Sequence, residues 1–285
     1  MTITQFAPAV GRDRTFSPRN YAMTPPTHFE VTYRINPWMD PTVEVDTALA
    51  LHQWNVLRET YVQLGHSVSE VPPVPGLPDM VYAANGGLVV GGVAIAAAFR
   101  HPQRQPEGAA YAAWMNSAGL GPVRTVSGIN EGEGDFLVVG DRILAGTGFR
   151  TDQQTHRQVA QLTGLPVVSL ELVDPRYYHL DTALGVLDDD TITYFPDAFS
   201  ADAQRVLADL YPTAIRANDA DAAVLGLNLV SDGLNVVMTD AAPHLAALLT
   251  AAGFNPIEVD LSELLKGGGG VKCCTLELRK AGVTS

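Results

Sequence analysis

The sequence predicts an α/β fold in which five ββαβ units of about 45–50 residues close into a ring through both chain ends. Three observations carry that expectation. Strand–turn–strand patterns recur along the chain, each is followed by a helix-like stretch and another short strand, and the two ends hold the halves of a unit that no internal segment supplies.

The first hairpin reads Leu88-Val89-Val90, Gly91-Gly92, Val93-Ala94-Ile95, and the second reads Phe136 to Val139, Gly140-Asp141, Arg142 to Leu144. The third runs from Ala183 to Leu187, turns at Asp188-Asp189-Asp190 and returns from Thr191 to Phe195. The fourth is Leu227 to Val230, Ser231-Asp232-Gly233, Leu234 to Met238. Short apolar runs around Gly-Gly, Gly-Asp and Asp-Gly are strong hairpin signals. Their first strands begin at residues 88, 136, 183 and 227, so the repeat is nearly constant. Helices are expected at Gly108 to Ala118, Thr151 to Thr163, Ala201 to Leu210 and Pro243 to Ala252; the last carries Leu245, Leu248, Leu249 and Ala252 in a one-sided stripe. Strands resume at Pro166 to Leu170 and Pro256 to Val259. The fifth unit is expected to begin with His28-Phe29-Glu30-Val31, Tyr33 and Ile35 and to be completed by Cys273 to Leu278. Closure of that kind removes exposed sheet edges. The competing reading is an ordinary mixed α/β domain with coincidental spacing. Residues 1–20 fit no unit and read as a flexible tail, leaving 21–280 as one domain.

Composition narrows the function. The 285 residues carry 18 Lys and Arg against 31 Asp and Glu, a formal net charge of −13. Proteins that grip phosphate backbones ordinarily carry the opposite sign, so no nucleic acid partner is expected. The 46% hydrophobic and 17% charged residues describe a chain that folds. No stretch reaches the roughly 18 uninterrupted apolar residues of a membrane span, and the first residues lack the apolar centre of a secretory signal. The cysteines are Cys273 and Cys274, adjacent, which disfavours a mutual disulfide and makes a poor zinc site. A cytoplasmic protein with reduced thiols is expected.

Chemistry concentrates in a few segments. Lys266-Gly267-Gly268-Gly269-Gly270-Val271-Lys272-Cys273-Cys274 puts a glycine run before a thiol, which lets backbone approach a ligand, and Lys272 is placed to favour thiolate. Both cysteines could equally be core residues of a terminal strand, but alternation lets only one face the core, and the glycine run favours Cys273 as reactive. A cysteine nucleophile needs an acid/base partner. His179, in Tyr177-Tyr178-His179-Leu180-Asp181-Thr182, stands just before the third hairpin, and in an extended segment Asp181 would share its face. Asn130-Glu131-Gly132-Glu133-Gly134-Asp135 is an acidic bend before the second hairpin, and Asp79 and Asn85 flank the approach to the first. Carboxylates beside a thiol point to a cationic guest.

These segments, with Asn36-Pro37-Trp38-Met39-Asp40 and Gly76-Leu77-Pro78-Asp79, resemble the guanidino-group-modifying (amidinotransferase, or pentein) superfamily over residues 20–280. The pattern is most similar to dimethylarginine dimethylaminohydrolases and to the catalytic domain of arginine dihydrolases. The resemblance implies the five-bladed α/β propeller and hydrolysis of free arginine or a methylated arginine. It makes Cys273 the nucleophile on the guanidinium carbon, His179 the acid and then base, and Glu131 the carboxylate beside them, with Glu133 its rival. It also implies guanidinium acceptors at Asp79 and Asp181, substrate-carboxylate donors at Arg104 and Arg150, and Asn36 near the reacting end. No metal or organic cofactor is implied, and relatives are often homo-oligomers. Asn85 stands where hydrolases that stop at citrulline usually have Asp, as in relatives that continue to ornithine, and Ala98 replaces a usual Arg. Amidino transfer to an acceptor amine and an arginine-binding pseudoenzyme are the alternative readings.

Overall fold

A computed structural model describes residues 13–279. Most of the expected tail therefore lies outside the described residues; of the remainder, Arg14 pairs with Asp188 and the Ser17 amide donates to the Asp232 carbonyl at 2.9 Å.

The described residues form five separate small sheets. One pairs Gly87–Val90 with Val93–Ala96, and a parallel bridge from Ile95 to Arg124 follows the helix Gln105–Ser117. A second pairs Phe136–Val139 with Arg142–Thr147, then adds Val167–Glu171 in parallel after the helix Gln153–Thr163. A third joins Leu184–Val186, Ile192–Tyr194 and Ile215–Arg216 around the helix Ala201–Leu210. A fourth joins Val230–Ser231, Asn235–Thr239 and Asn255–Val259 around Pro243–Ala251. Each is an antiparallel hairpin with a helical crossover to a parallel third strand, the predicted ββαβ order. Gly91 and Gly92, with φ of 59° and 81°, both take the left-handed region that a two-residue hairpin turn demands.

The fifth sheet is built from both ends, but not from the predicted strand. Asn20–Met23 pairs antiparallel with Leu276–Glu277 and parallel with Ser67–Glu70, across the helix Thr47–Gln63. The 28–35 segment is irregular instead. Its alternation has another cause: Phe29 and Val31 drop into a core cluster with Trp54 and Leu57, while Glu30 between them stays exposed. Cys273 and Cys274 likewise lie in a turn before the last strand, and both are buried, so strand alternation does not separate them.

The fourth hairpin starts later than its apolar run suggests. Leu227 to Leu229 are held in a turn, where the Leu229 amide donates to the Leu227 carbonyl, and pairing begins only at Val230. The backbone of Asn228 is used outside the hairpin, its amide donating to the Leu225 carbonyl at 3.0 Å and its carbonyl accepting from the Lys272 amide at 3.2 Å. Among the described residues no helix is long and apolar enough to cross a membrane.

Candidate active site

Six of the residues singled out by sequence sit on segments that lead into the sheets. Asp79 and Asn85 lie on two short 3₁₀ turns before Gly87–Val90, and Glu131 opens the bend before Phe136–Val139. His179 and Asp181 precede Leu184–Val186, and Cys273 precedes Leu276–Glu277. Glycine makes the acidic bend feasible. Gly132 has φ of 57°, and a β-carbon on Gly134 would meet Asn85 Nδ2 at 2.4 Å and the His179 ring at 3.2 Å. Asn85 and His179 thus approach each other across a residue with no side chain.

His179 Nε2 lies 2.7 Å from Glu131 Oε2, which also accepts from Arg150 Nη1 at 2.9 Å. Glu131 Oε1 accepts from the Arg100 amide at 3.0 Å. Burial drives the Glu131 carboxyl upward, but Arg150 and His179 overcome it and hold the group well below the usual range. Glu131 is therefore the carboxylate at the imidazole. Glu133 points elsewhere, to Lys272 Nζ at 2.6 Å and to Arg279.

Asp181 does not orient the imidazole as an extended segment would allow. Leu180–Ala183 forms a single helical turn, which swings Asp181 toward sulfur: Cys273 Sγ donates to its Oδ2 at 3.2 Å. Burial pushes the Asp181 carboxyl up to about 6. Burial and then the Asp181 charge push the Cys273 thiol well above its ordinary value. The expected activation by Lys272 is not what the structure provides, because Lys272 Nζ is spent on Glu133 and on the Thr275 carbonyl.

Asp79 accepts from Tyr33 Oη at 2.8 Å through Oδ2, and burial raises its carboxyl. Arg104 donates to both oxygens of Glu107, to Asn85 Oδ1 at 2.8 Å and to the Asp79 carbonyl. Arg150 holds Glu131 and the Ile35 carbonyl and stacks over Tyr178. Both arginines are buried on internal partners. Asn36 accepts from the Trp38 and Met39 amides and donates to the Gly267 carbonyl, tying its loop to the glycine run. Ala98 makes backbone bonds with Asn130, and nothing in the structure explains its side chain.

One residue escaped the sequence reading. Asn228 binds the Gly270 and Cys273 amides, the Asp181 carbonyl and Cys273 Sγ. Its signal was positional, since it stands before the fourth hairpin where Asn85, Glu131 and Asp181 stand before theirs. Four buried polar atoms of this cluster have no protein partner: Asp79 Oδ1, Asn85 Nδ2, His179 Nδ1 and Asp181 Oδ1. A thiol, an imidazole with one nitrogen free and two carboxylate oxygens can together bind a cation and carry out nucleophilic and acid–base steps on it. Among the described residues no group of three His, Cys, Asp or Glu is set to hold a metal ion. A cavity of about 430 Å³ lies elsewhere, lined among others by Tyr21, Val90, Lys272 and Arg279.

No family model matches the chain. It is 61% identical over 265 residues to N(G),N(G)-dimethylarginine dimethylaminohydrolase of Mycobacterium tuberculosis, covering 93% of this chain and 87% of that protein. It is 36% identical to the bifunctional arginine dihydrolase/ornithine cyclodeaminase ArgZ of Synechocystis, of whose length it spans 37%. The product-bound N-terminal domain of ArgZ, an arginine dihydrolase from cyanobacteria, superposes with a TM-score of 0.89 at 35% identity, covering 93% of this chain and 99% of that one.

Proposed function

The chain belongs to the dimethylarginine dimethylaminohydrolase family, and from that premise we propose a cysteine-dependent hydrolase of the guanidinium group of free arginine or an Nω-methylated arginine. The observation that carries this reading is a set of four unpartnered buried atoms, on Asp79, Asn85, His179 and Asp181, the last of these residues in contact with the Cys273 thiol. A planar guanidinium offers five N–H donors, and Asp79 Oδ1 and Asp181 Oδ1 are acceptors of the matching kind. The five sheets are blades of a five-bladed α/β propeller. In support, the 276–277 strand neighbours 87–90, 136–139 neighbours 184–186, and 184–186 neighbours 230–231. Residues 21–280 form its single catalytic domain, and two free thiols suit the cytoplasm.

The chemistry follows from the placement. With a cation seated between Asp79 and Asp181, the field that holds Cys273 protonated is offset, and the sulfur ionises as substrate arrives, its proton passing to bulk water. Cys273 Sγ forms a bond to the guanidinium carbon. The C–N bond to the departing amine breaks as His179 gives that nitrogen a proton. Because Nε2 faces Glu131, the proton leaves from Nδ1, the nitrogen without a protein partner. The neutral imidazole then takes one proton from water, whose oxygen bonds to the same carbon; the C–S bond breaks, and the departing sulfur takes the remaining hydroxyl proton. Glu131, ionised throughout, stabilises the imidazolium. Arg150 holds Glu131, and Arg104 fixes Asn85; to take the substrate carboxylate as well, Arg150 exchanges the Ile35 carbonyl for it.

Asn85 refines the product. Arg104 holds its Oδ1, so its unpartnered NH2 faces the site. A guanidinium has no acceptor to offer it, whereas the ureido oxygen of citrulline has one. This contact favours a second round of hydrolysis that carries arginine to ornithine. Incubation of the purified protein with arginine, monomethylarginine and dimethylarginine, with assay of ammonia, methylamines, citrulline and ornithine, tests both levels. Consumption of none overturns the hydrolase. Citrulline that accumulates without ornithine overturns the role of Asn85, and an amidino product formed only with an added amine makes the protein a transferase.

A further inference from the structure

The mechanism above leaves one contact to the nucleophile unused. Asn228 is buried, and its carboxamide makes four hydrogen bonds. Oδ1 accepts from the Gly270 amide at 3.1 Å and the Cys273 amide at 3.0 Å. Nδ2 donates to the Asp181 carbonyl at 2.9 Å and to Cys273 Sγ at 3.1 Å. The orientation is forced. Turned over, the amide would set oxygen against the Asp181 carbonyl and NH2 against two N–H groups.

We propose that Asn228 is a further catalytic residue, the buried neutral donor that stabilises the Cys273 thiolate and fixes the line along which sulfur meets the guanidinium carbon. The inference rests on Cys273 being the nucleophile. Thiolate is present twice in each turnover, before attack and again when the C–S bond breaks. Neither charged neighbour serves it. Asp181 accepts a hydrogen bond from the thiol, and as a carboxylate it repels the thiolate. Lys272 is committed to Glu133. Asn228 Nδ2 is the side-chain donor in contact with sulfur, and a bond from N–H to a buried anion is stronger than the same bond in water. The other half of the amide holds the turn that carries Cys273, so the donor and the sulfur cannot drift apart. Aspartate has the same shape but no N–H and cannot substitute.

Alkylation of Cys273 by iodoacetamide, followed by mass spectrometry across pH, reports the thiolate without any substrate. Asn228→Ala and Asn228→Asp remove the donor, the first without adding charge. The expected result is a fall in the Cys273 alkylation rate at neutral pH of about ten- to hundredfold, with the midpoint displaced upward by about one to two pH units. Truncation to Ala opens space beside the sulfur, so blocked access cannot produce that fall. A folded Asn228→Ala protein with the parent's rate and midpoint overturns the proposal and leaves Asn228 a strut. Should neither variant fold, the side-chain amide resonance of Asn228 in the unaltered protein decides: it shifts at the alkylation midpoint, and a resonance that does not move overturns the idea. Absence of turnover on every guanidino compound would sink the function proposed above without touching this outcome.

Discussion

Glu131 and Glu133 stand two residues apart in one bend, both fully buried, and face opposite regions of the molecule. Glu131 meets His179, Arg150 and the Arg100 amide. Glu133 meets Lys272, Arg279 and the Glu277 amide, on the side where Lys272, Glu277 and Arg279 line the 430 Å³ cavity. Burial alone would raise both carboxyls; Arg150 and His179 depress one, Lys272 and Arg279 the other. Residue type, depth and ionisation are therefore shared. What differs is the partner: an imidazole can give up a proton near neutral pH, and lysine or arginine cannot. Cys273 and Cys274 repeat the division. Both cysteines belong to one apolar cluster with Tyr61 and Met23, and Cys273 adds polar contacts to Asp181 and Asn228.

The largest effect expected across that divide is at sulfur. Cys273→Ala removes turnover by about 10⁴-fold or more and abolishes any covalent substrate adduct seen by mass spectrometry. Cys274→Ala keeps turnover and loses about 1–2 kcal/mol in urea unfolding, the cost of a small core deletion. Equal loss of activity in the two would erase the distinction. Next comes the acidic pair. Glu131→Gln lowers kcat by about 10²- to 10⁴-fold with the protein still folded. Glu133→Gln leaves Lys272 and Arg279 short of a counter-charge and costs about 3 kcal/mol in stability, with kcat within about tenfold. Steady-state kinetics beside thermal melts separates the two signatures.

The smallest effects are in pH dependence, where two buried groups pull in opposite directions. His156 accepts the Ser169 hydroxyl on Nδ1 and donates from Nε2 to the Gly146 carbonyl, and burial lowers it to about 4. Its folded value lies below its unfolded one, so its contribution is complete above about pH 6.5 and is lost as pH falls toward 4. Asp181 is raised to about 6, so its contribution is complete below about pH 4 and is lost as pH rises through 6. Unfolding free energies between pH 4 and 7 should lose acid lability in His156→Gln and gain stability near pH 7 in Asp181→Asn. A parallel displacement of either curve with no change of slope would contradict these assignments.

Much of this was legible because the physics is local. The Gly91-Gly92 and Gly140-Asp141 turns announce their hairpins, and the helices at 201–210 and 243–251 carry their own apolar stripes or Pro starts. Cys273, His179 and Glu131 were legible because thiols, imidazoles and glycine-flanked carboxylates are scarce and conspicuous. What was hidden depends on distant partners. Asn20–Met23 has no alternation to mark it, and it becomes a strand because Leu276–Glu277 and Ser67–Glu70 come to it. The 28–31 segment alternates because a core lies beneath it, with no strand alongside. Lys272 is next to Cys273 in sequence, yet its charge goes to Glu133. Asn228, uncharged inside an apolar run, reads as filler until the Cys273 turn is brought against it.

The pairing of Asn20–Met23 with Leu276–Glu277 has a consequence for how the protein comes into being. A ribosome releases the first of these strands long before it makes the second, and Cys273 arrives only with that late segment. Nascent chains thus carry His179 and Glu131 without a sulfur to use. The proposed chemistry at Cys273 cannot begin until translation has passed the cysteine.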